Sequence, residues 1–309
     1  MGGRVRRGPG QPGNVGQMTI AAIAYHRPAS LAEACALGRH YGSDAAYLAG
    51  GTELIPDYQR ERETARHLIA LDSLRELRGI SEEAGLLRIG ALTTIAEVAA
   101  SPLVRARLPA LADAARAIGS PQIRNMATIG GNFCRAVPCA DTPPAAIVCA
   151  ARVRLVGTLG ARELDAEHFF TGARTTALDP GDVLVEIIVP AQPHHSGTSY
   201  QRFARRRGPA LAVAAVAARV TLAHGRITGT RIALGAVAPT PIIAVRAAAL
   251  IEGESPSNAL FERAGALCAQ DARPISDMRG SADFRRELVG VLARRALHEA
   301  VARAGDSGE

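Results

Sequence analysis

The chain has 309 residues, 48% of them hydrophobic, so it is long enough for two domains with ordinary cores. All 36 basic residues are arginines, and they give a formal net charge of +7. The arginines are scattered, without an aromatic platform or zinc-finger spacing, which argues against a nucleic-acid partner. No apolar run approaches the roughly 18 to 20 residues of a membrane span. Five cysteines, an odd number, and no apolar signal segment predict reduced thiols in the cytoplasm.

The first part of the chain alternates short strands and helices. Residues 1–17 are rich in Gly, Arg and Pro, which predicts a disordered extension before a strand at 23–26. Ser30 precedes a predicted helix over 31–41, and Glu33, three residues later, completes a predicted capping box. Further strands are predicted at 46–49, 67–71 and 87–89. A helix is predicted from Thr93 or Thr94 to Ala100.

The rest of the chain changes texture near residue 190. Before that point the pattern predicts helices at 108–118 and 145–149, a turn at 141–144, strands at 153–156 and 183–189, and a short turn or helix at 164–169. After a linker at 190–197 come predicted strands at 199–204, 210–220 and 226–234 and helices at 258–269 and 281–304. The pattern predicts an α+β unit over about 18–190 and a smaller sheet-and-helix unit over about 198–304.

Two predicted loops place a Gly-Gly pair beside a small hydroxyl or amide residue. They are Tyr47-Leu-Ala-Gly-Gly-Thr-Glu-Leu54 and Thr128-Ile-Gly-Gly-Asn132. Glycine admits a positive φ and lets a ligand approach the backbone, so consecutive N–H groups can converge on an anion. Thr52, Thr128 and Asn132 can add side-chain hydrogen bonds. One such loop is more often a plain turn, but two in one α+β segment suggest a diphosphate held from two sides.

The kind of diphosphate is left open by these residues. No Gly-Lys-Ser/Thr follows either glycine pair, so neither loop is a Walker A motif. Neither matches the G-x-G-x-x-G dinucleotide fingerprint, so a nicotinamide Rossmann domain is not supported. FAD, NAD and CoA all contain a diphosphate, and the residues alone lead only to a nucleotide cofactor.

A set of motifs in fixed order carries a resemblance to a known family. In chain order the motifs are Tyr47-Leu-Ala-Gly-Gly-Thr-Glu-Leu-Ile-Pro56, Ile89-Gly-Ala-Leu-Thr-Thr94, Ile118-Gly-Ser-Pro-Gln-Ile-Arg-Asn125, Thr128-Ile-Gly-Gly-Asn132, Pro138-x-x-Asp141-Thr-Pro-Pro144 and Phe169-Phe-Thr-Gly172. From about residue 23 to about residue 300, the chain resembles the FAD-binding medium subunit of molybdenum hydroxylases. That group includes xanthine dehydrogenases and aerobic carbon monoxide dehydrogenases. Each motif alone is weak, but the combination is specific.

The resemblance implies a fold and a cofactor. The fold is α+β: a vanillyl-alcohol-oxidase-type FAD-binding domain over 18–190, with two subdomains split near residue 72, followed by a C-terminal domain over 198–304. FAD lies between the subdomains. The residues implied to hold its diphosphate and ribityl parts are Tyr47, Leu48, Ala49, Gly50, Gly51, Thr52, Glu53, Leu54, Thr128, Ile129, Gly130, Gly131 and Asn132.

Four further positions come from the same resemblance. Asp141 is similar to an acidic residue that contacts the cofactor, and its carboxylate can accept from a ribose or ribityl hydroxyl. A helix N-cap is the alternative role, and both can hold. Ile118 matches a position near the flavin ring, and Leu184 matches another apolar contact. A family lysine beside the cofactor falls at Arg202, where the charge is kept and the hydrogen-bond geometry changes.

The residues also bear on attachment and on metals. No histidine stands beside either glycine loop, so we expect FAD to be bound without a covalent bond. A relative of the family carries a [4Fe-4S] cluster in this subunit, which needs four thiolates. Here only Cys134 and Cys139 lie close together, so both are interpreted as structural. We predict no catalytic residue and no metal site in this chain.

The implied function is electron transfer within a larger enzyme. A small subunit with two [2Fe-2S] clusters and a large molybdenum subunit are the implied partners, in a dimer of heterotrimers, with NAD, a quinone or oxygen as acceptor. The chain alone is then expected to be inactive on the organic substrate. Two alternatives remain, a stand-alone flavin oxidoreductase of the same fold and a structural subunit that has lost FAD.

Overall fold

The structure is a computed structural model that describes residues 23–206 and 208–306, so the predicted extension over 1–17 lies outside it. Its first unit is a parallel three-stranded sheet in the order β1-β3-β2, with one helix between β1 and β2 and another between β2 and β3. Fully buried Ala34 and Ile69 lie in its core. The elements are β1 (Ala24–His26), α1 (Leu31–Tyr41), β2 (Ala45–Leu48), α2 (Leu54–Gln59) and β3 (His67–Ala70).

The second unit is a five-stranded antiparallel sheet in the order β4-β5-β10-β6-β7, covered by a run of short helices. The largest core cluster of the molecule lies between sheet and helices and includes fully buried Ile89, Leu111 and Phe133. Its elements are β4 (Ile80–Glu83), β5 (Leu86–Gly90), α3 (Ile95–Ala100), α4 (Pro102–Arg107), α5 (Pro109–Ala117), α6 (Pro121–Met126), α7 (Ile129–Cys134), α8 (Thr142–Val148), β6 (Arg152–Gly157), β7 (Gly160–Asp165), α9 (Ala166–Phe169), β8 (Phe170–Gly172), β9 (Thr175–Thr176) and β10 (Val183–Pro190).

The third unit is an antiparallel sheet in the order β11-β12-β13-β14 with three helices. The first half of the middle strand β12 is buried on both faces, which explains the Ala/Val run over residues 214–218. Ala215 and Ala217 face the second unit, whereas Val216 and Val220 pack in the core of the third unit. The elements are β11 (Ser196–Phe203), β12 (Ala214–Ala223), β13 (Arg226–Gly235), β14 (Ile242–Ile243), α10 (Val245–Ile251), α11 (Asn258–Asp271) and α12 (Ala282–Asp306).

The predicted α+β class and several elements are confirmed. Helix α1 has the predicted bounds, and Thr94 is the N-cap of α3 with a complete capping box to Glu97. The box predicted at α1 is wrong in one bond: Ser30 accepts from the Glu33 N–H, but the Glu33 carboxylate accepts from the Ala29 N–H. Across the described residues, no helix combines the length and apolarity needed to cross a bilayer.

Several predicted bounds are wrong for local reasons. The strand predicted at 210–220 begins only at Ala214. Residues 210–213 are as apolar as the strand but lie outside the sheet, so the sequence pattern does not show where the strand begins. The linker shortens to residues 191–195, because β10 continues through Pro190 and β11 begins at Ser196. The turn predicted at 141–144 is the first turn of α8, since proline is well suited to the start of a helix. The polar stretch after Ser120 is helix α6, which sequence patterning did not predict.

Candidate cofactor site

The first glycine segment, residues 49–54, connects the end of β2 to the start of α2. Gly51 has a φ of 69°, in the left-handed region that favours glycine. The N–H groups of Gly50, Gly51, Thr52 and Glu53 have no hydrogen-bond acceptor within residues 23–206 and 208–306. Four consecutive unpaired N–H groups in a turn are the donors that an anion-binding nest requires.

Gly50 brings this segment against the chain that leads into the second one. A Cβ on Gly50 would lie 1.9 Å from the carbonyl oxygen of Met126 and 3.0 Å from the Cα of Ala127. Only a glycine permits this backbone-to-backbone contact. The two glycine segments are therefore neighbours in space, although about 80 residues separate them in sequence.

The second glycine segment, residues 128–132, was predicted to be a loop. That prediction is wrong, because the segment forms the start of helix α7. Thr128 is the N-cap, and its hydroxyl accepts from the Gly131 N–H at 3.1 Å. The N–H groups of Ile129 and Gly130 donate to the carbonyls of Thr93 and Ala91, and that of Asn132 donates to Thr128. These four N–H groups are all used within the fold, so this segment lacks the open nest of the first.

A cavity of about 290 Å³ lies between the two segments. Its walls come from all three units, since Leu71 belongs to the first, Leu184 to the second and Leu211 to the third. Most of the residues predicted for a cofactor site line it: Tyr47, Ala49, Gly50, Gly51, Thr52, Glu53, Leu54, Ile118, Thr128, Gly130, Gly131, Asn132 and Leu184. Half of the lining residues were not predicted as site residues from the sequence, among them Ala91, Leu92, Arg135, Asp182 and Leu211.

Four predicted site residues lie outside the lining of this cavity. Ile129 is fully buried in the main core, and Leu48 lies beneath Gly51, where an added Cβ would be 3.1 Å from Leu48 Cδ1. Asp141 and Arg202 form a buried ion pair with each other, with Arg202 Nη1 at 3.1 and 3.2 Å from the two carboxylate oxygens. They do not line the space between the glycine segments.

Asp141 stands at the N-cap position of α8, but its side chain makes no capping hydrogen bond. Its carboxylate accepts instead from the Tyr200 hydroxyl at 2.6 Å and from Arg202. Burial raises the pKa of Asp141, whereas Arg202 and the Tyr200 hydroxyl favour its ionised form. The side chain thus ties the start of α8 to strand β11 of the third unit.

Arg135, at the C-terminal end of α7, is the one basic side chain among the described residues that line the cavity. Its Nη2 donates to Asp57, a nearly fully buried carboxylate on α2 that also accepts from Arg174 Nη1 at 2.9 Å. Burial raises the pKa of Asp57, but hydrogen bonding and charge from Arg174 and the charge of Arg135 outweigh it and hold the pKa below its usual range. This cluster joins the helices that follow the two glycine segments.

An incomplete contact lies beside this cluster. Glu53 Oε2 and Arg135 Nε are 3.8 Å apart, and both are buried with no hydrogen-bond partner in the described part of the chain. Cys134, next to Arg135, also lines the cavity, and burial raises the pKa of its thiol to about 12. The thiol is therefore protonated at neutral pH, which disfavours its action as a nucleophile.

Comparison with known protein families identifies the family of this chain and the cofactor that the family binds. Residues 19–192 match the family described as FAD binding domain in molybdopterin dehydrogenase, and residues 199–300 match the CO dehydrogenase flavoprotein C-terminal domain. The chain belongs to this flavoprotein family. The resemblance inferred from the ordered set of motifs is thereby confirmed, and FAD is the cofactor of the family.

Relatives of the flavoprotein family match along most of the chain. The carbon monoxide dehydrogenase medium chain of Afipia carboxidovorans is 38% identical over 93% of this chain and 99% of its own. The xanthine dehydrogenase FAD-binding subunit of Escherichia coli O157:H7 is 34% identical over 91% and 97%. A solved carbon monoxide dehydrogenase from Hydrogenophaga pseudoflava superposes with a TM-score of 0.88 at 38% identity, covering 91% of this chain and 98% of the other.

The residues of the flavoprotein's cavity fit FAD. The unpaired N–H groups of Gly50 to Glu53 are donors for a diphosphate. The Asn132 amide oxygen accepts from the Thr142 hydroxyl at 2.6 Å, so the amide N–H₂ remains as a further donor. Apolar side chains, among them Ile118 and Leu184, can pack against an aromatic ring system.

Proposed function

We propose that this chain is the FAD-carrying electron-transfer subunit of a multisubunit molybdenum hydroxylase. In this role it accepts electrons from [2Fe-2S] clusters of a small subunit and delivers them to an external acceptor such as NAD, a quinone or oxygen. The organic substrate reacts on a large molybdenum subunit. The assembly is proposed to be a dimer of heterotrimers in the cytoplasm, and this chain alone is proposed to be inactive on the substrate.

The observation that supports this proposal most strongly is the row of unpaired N–H groups at residues 50–53, in a cavity that both glycine segments line. FAD, when bound, supplies one- and two-electron redox chemistry. The chain's own contribution is to bind the diphosphate through the backbone of the first segment, to orient it with Asn132, and to exclude water with the apolar walls. We propose that this binding is non-covalent, since no histidine lines the cavity among the described residues and the Cys134 thiol is protonated.

The medium-subunit names of the relatives support the proposed partners. The relatives include a carbon monoxide dehydrogenase medium chain and a xanthine dehydrogenase FAD-binding subunit, and this chain covers almost all of each. A solved relative is named Cu,Mo-CO dehydrogenase. A subunit that has lost FAD would have no reason to keep the donors at residues 50–53 free of internal acceptors.

Purification from the native host tests the proposal. Affinity capture of this chain is expected to recover two further chains, with molybdenum and iron detected by metal analysis and a yellow flavin band in the absorbance spectrum. The chain produced alone should bind FAD and show no turnover of the substrate that the complex oxidises. Recovery of the chain by itself, without either metal, would contradict the partnership, and substrate turnover by the isolated flavoprotein would favour a stand-alone oxidoreductase.

A further inference from the structure

Two arginines face each other at the edge of the interface between the second and third units. Arg219 on β12 and Arg231 on β13 are direct register partners in an antiparallel pair. They continue the row of Ala215, Ala217 and Ala233, whose side chains pack against the second unit. Directly opposed side chains in such a pair lie close together, so two like charges there destabilise the sheet unless an anion compensates them.

The compensation within the chain is incomplete. Arg231 Nη2 donates to Glu167 Oε2 at 2.6 Å, which neutralises one charge. Within the described part of the chain, Arg219 Nη1 donates only to the neutral amide oxygen of Gln192, at 3.2 Å. In residues 23–206 and 208–306 no carboxylate lies within 4.0 Å of Arg219, and the Nε atoms of both arginines are buried without an acceptor. The pair therefore carries an excess positive charge.

The orientation of Gln192 is fixed by its other end. Its Nε2 donates to the carbonyl of Cys149 at 3.1 Å and to that of Pro190 at 2.7 Å. The amide oxygen is therefore held toward Arg219, and one edge of the guanidinium is anchored. The Nε of Arg219 is buried, but the N–H groups of the second terminal nitrogen, Nη2, remain as donors in a fixed plane, which is the geometry that suits an oxoanion.

Other partly or fully buried arginines show how unusual this arrangement is. Arg88, Arg135, Arg202 and Arg285 each reach a carboxylate. Arg124, which has no carboxylate partner in the described residues, donates to two main-chain carbonyls. Burial lowers the pKa of Arg219. The nearby Cys149 thiol cannot supply the missing charge, because burial raises its pKa to about 12.

We propose that Arg219 and Arg231 form a binding site for an oxoanion, either a carboxylate or a tetrahedral anion such as sulfate or phosphate. Glu167 already pairs with Arg231, so the incoming anion binds chiefly to the free edge of Arg219. The anion has two sources with the same chemistry: a free ion in solution, or the carboxylate of an Asp or Glu on a partner subunit.

The first arm of the test uses the full-length, FAD-loaded chain and thermal unfolding at constant ionic strength. Sulfate and acetate, each exchanged for chloride, are expected to raise the melting temperature of the parent chain saturably. At ten times the dissociation constant, the folded-to-unfolded ratio should rise about 11-fold. Arg219→Gln is expected to abolish this rise. Arg295→Gln, an exposed position on α12 with the same loss of charge, serves as the control and should respond like the parent.

The second arm distinguishes the source of the anion. If the isolated chain does not respond to free oxoanions, Arg219→Gln should weaken assembly with the co-purified subunits about tenfold, and Arg295→Gln should not, because a lost charged hydrogen bond is worth about one to two powers of ten. Either a saturable response to free oxoanions or weakened assembly supports the site.

The direction of the change in melting temperature caused by Arg219→Gln is a further test of the site. Without added oxoanion, Arg219→Gln should melt at or above the temperature of the parent chain, because it removes the repulsion from Arg231 and leaves an amide beside Gln192. A lower melting temperature under these conditions would show that Arg219 is already satisfied within the chain and would refute the site. Unchanged assembly together with no response to free oxoanions would refute it equally.

Discussion

The two glycine segments have similar sequences but fold in opposite ways. In the first, the turn after β2 delays the helix until Leu54, and the N–H groups of residues 50–53 have no acceptor among the residues that the structure describes. In the second, Thr128 caps a helix that begins immediately, and the N–H groups of residues 129–132 are all used internally. A Gly-Gly pair therefore does not reveal whether donors are free for a ligand. The residue two positions before the pair decides it: Leu48 is the end of strand β2, whereas Thr128 is the N-cap of α7.

The glycines also differ in what their missing side chains permit. Gly50 and Gly130 allow close backbone packing, since an added Cβ would lie 1.9 Å from Met126 O and 2.6 Å from Ala91 Cβ, respectively. Gly51 supplies the positive φ. Gly131 faces only the Thr128 hydroxyl, 2.9 Å from an added Cβ. Of the four, Gly131 is the position that has neither a positive φ nor a close contact with another segment of the described chain.

The largest expected effect is that of Gly50→Ala, which breaks the contact between the two segments. The new Cβ meets backbone atoms of Met126 and Ala127, which cannot move without displacing the start of α7. We expect a loss of more than about 3 kcal/mol in the free energy of unfolding, at the upper end of overpacking costs, and no retained flavin. Denaturant unfolding and flavin absorbance after gel filtration measure both.

Gly229→Ala is the matched control for that experiment. Gly229 lies within strand β13, and an added Cβ would make only ordinary contacts of 3.6 and 3.7 Å with Thr221. Its stability should change by less than about 1 kcal/mol. A Gly50→Ala protein as stable as this control would show that the segments do not abut as described.

The second-largest loss of stability is expected when the ion cluster of Asp57, Arg135 and Arg174 is broken. Asp57→Asn leaves Arg135 and Arg174 without their shared carboxylate. We expect a loss of about 2–3 kcal/mol at pH 7, below the roughly 3–5 kcal/mol of a fully buried pair because Arg174 is half exposed. Asp72→Asn removes an exposed pair with Arg27 and should cost less than about 1 kcal/mol.

The Asp57 effect has a defined pH dependence. The folded-state pKa of Asp57 is lowered, so its contribution to stability is fully present above about pH 4, the ordinary range of an aspartate. The contribution is lost as the pH falls through the lower folded-state pKa, where the parent carboxylate becomes protonated. The difference in unfolding free energy between parent and Asp57→Asn should therefore shrink in acid. A difference that stays constant down to pH 2 would argue against an ionised Asp57.

The sequence predicted many of the residues that line the cavity, but it did not predict the side-chain contacts that hold the walls together. The Gly-Gly pairs and the hydroxyl and amide residues beside them predicted a diphosphate site, and the family resemblance supplied the other positions of the two segments. Residues 47, 49–54, 128 and 130–132 line one space, whereas Leu48 and Ile129 do not. Arg135 could not be predicted, because its place in the wall depends on Asp57 and Arg174, which are far away in sequence. Asp141 and Arg202 were selected as cofactor contacts, yet the fold pairs them with each other. Such pairings depend on how the third unit packs on the second, and no local pattern encodes that packing.

Helix α6 was not predicted from the sequence, and its composition explains why. Ser120 and Pro121 are a good N-cap and first helical residue, but the helix is only six residues long and has no buried residue. Without an apolar face there is no periodicity to read. One of its exposed apolar side chains, Ile123, lines the cofactor cavity instead of packing in the core.

The smallest expected effect on stability is that of Gly131→Ala. This variant tests most directly how the two glycine segments differ in their contribution to FAD binding. An alanine in the first turn of α7 meets the Thr128 hydroxyl, and moving that hydroxyl away would give up its N-cap hydrogen bond, worth about 1 kcal/mol. The alanine gains about 0.5–1 kcal/mol in helix propensity, which offsets this loss. We therefore expect the free energy of unfolding of the apoprotein to change by no more than about 1 kcal/mol, while the affinity for FAD, measured by flavin fluorescence titration, falls. Thr64→Ser, an exposed change away from the cavity, should leave both quantities unchanged. Unaltered FAD affinity in Gly131→Ala would mean that the second segment is only a packing support, and that residues 50–53 alone hold the diphosphate.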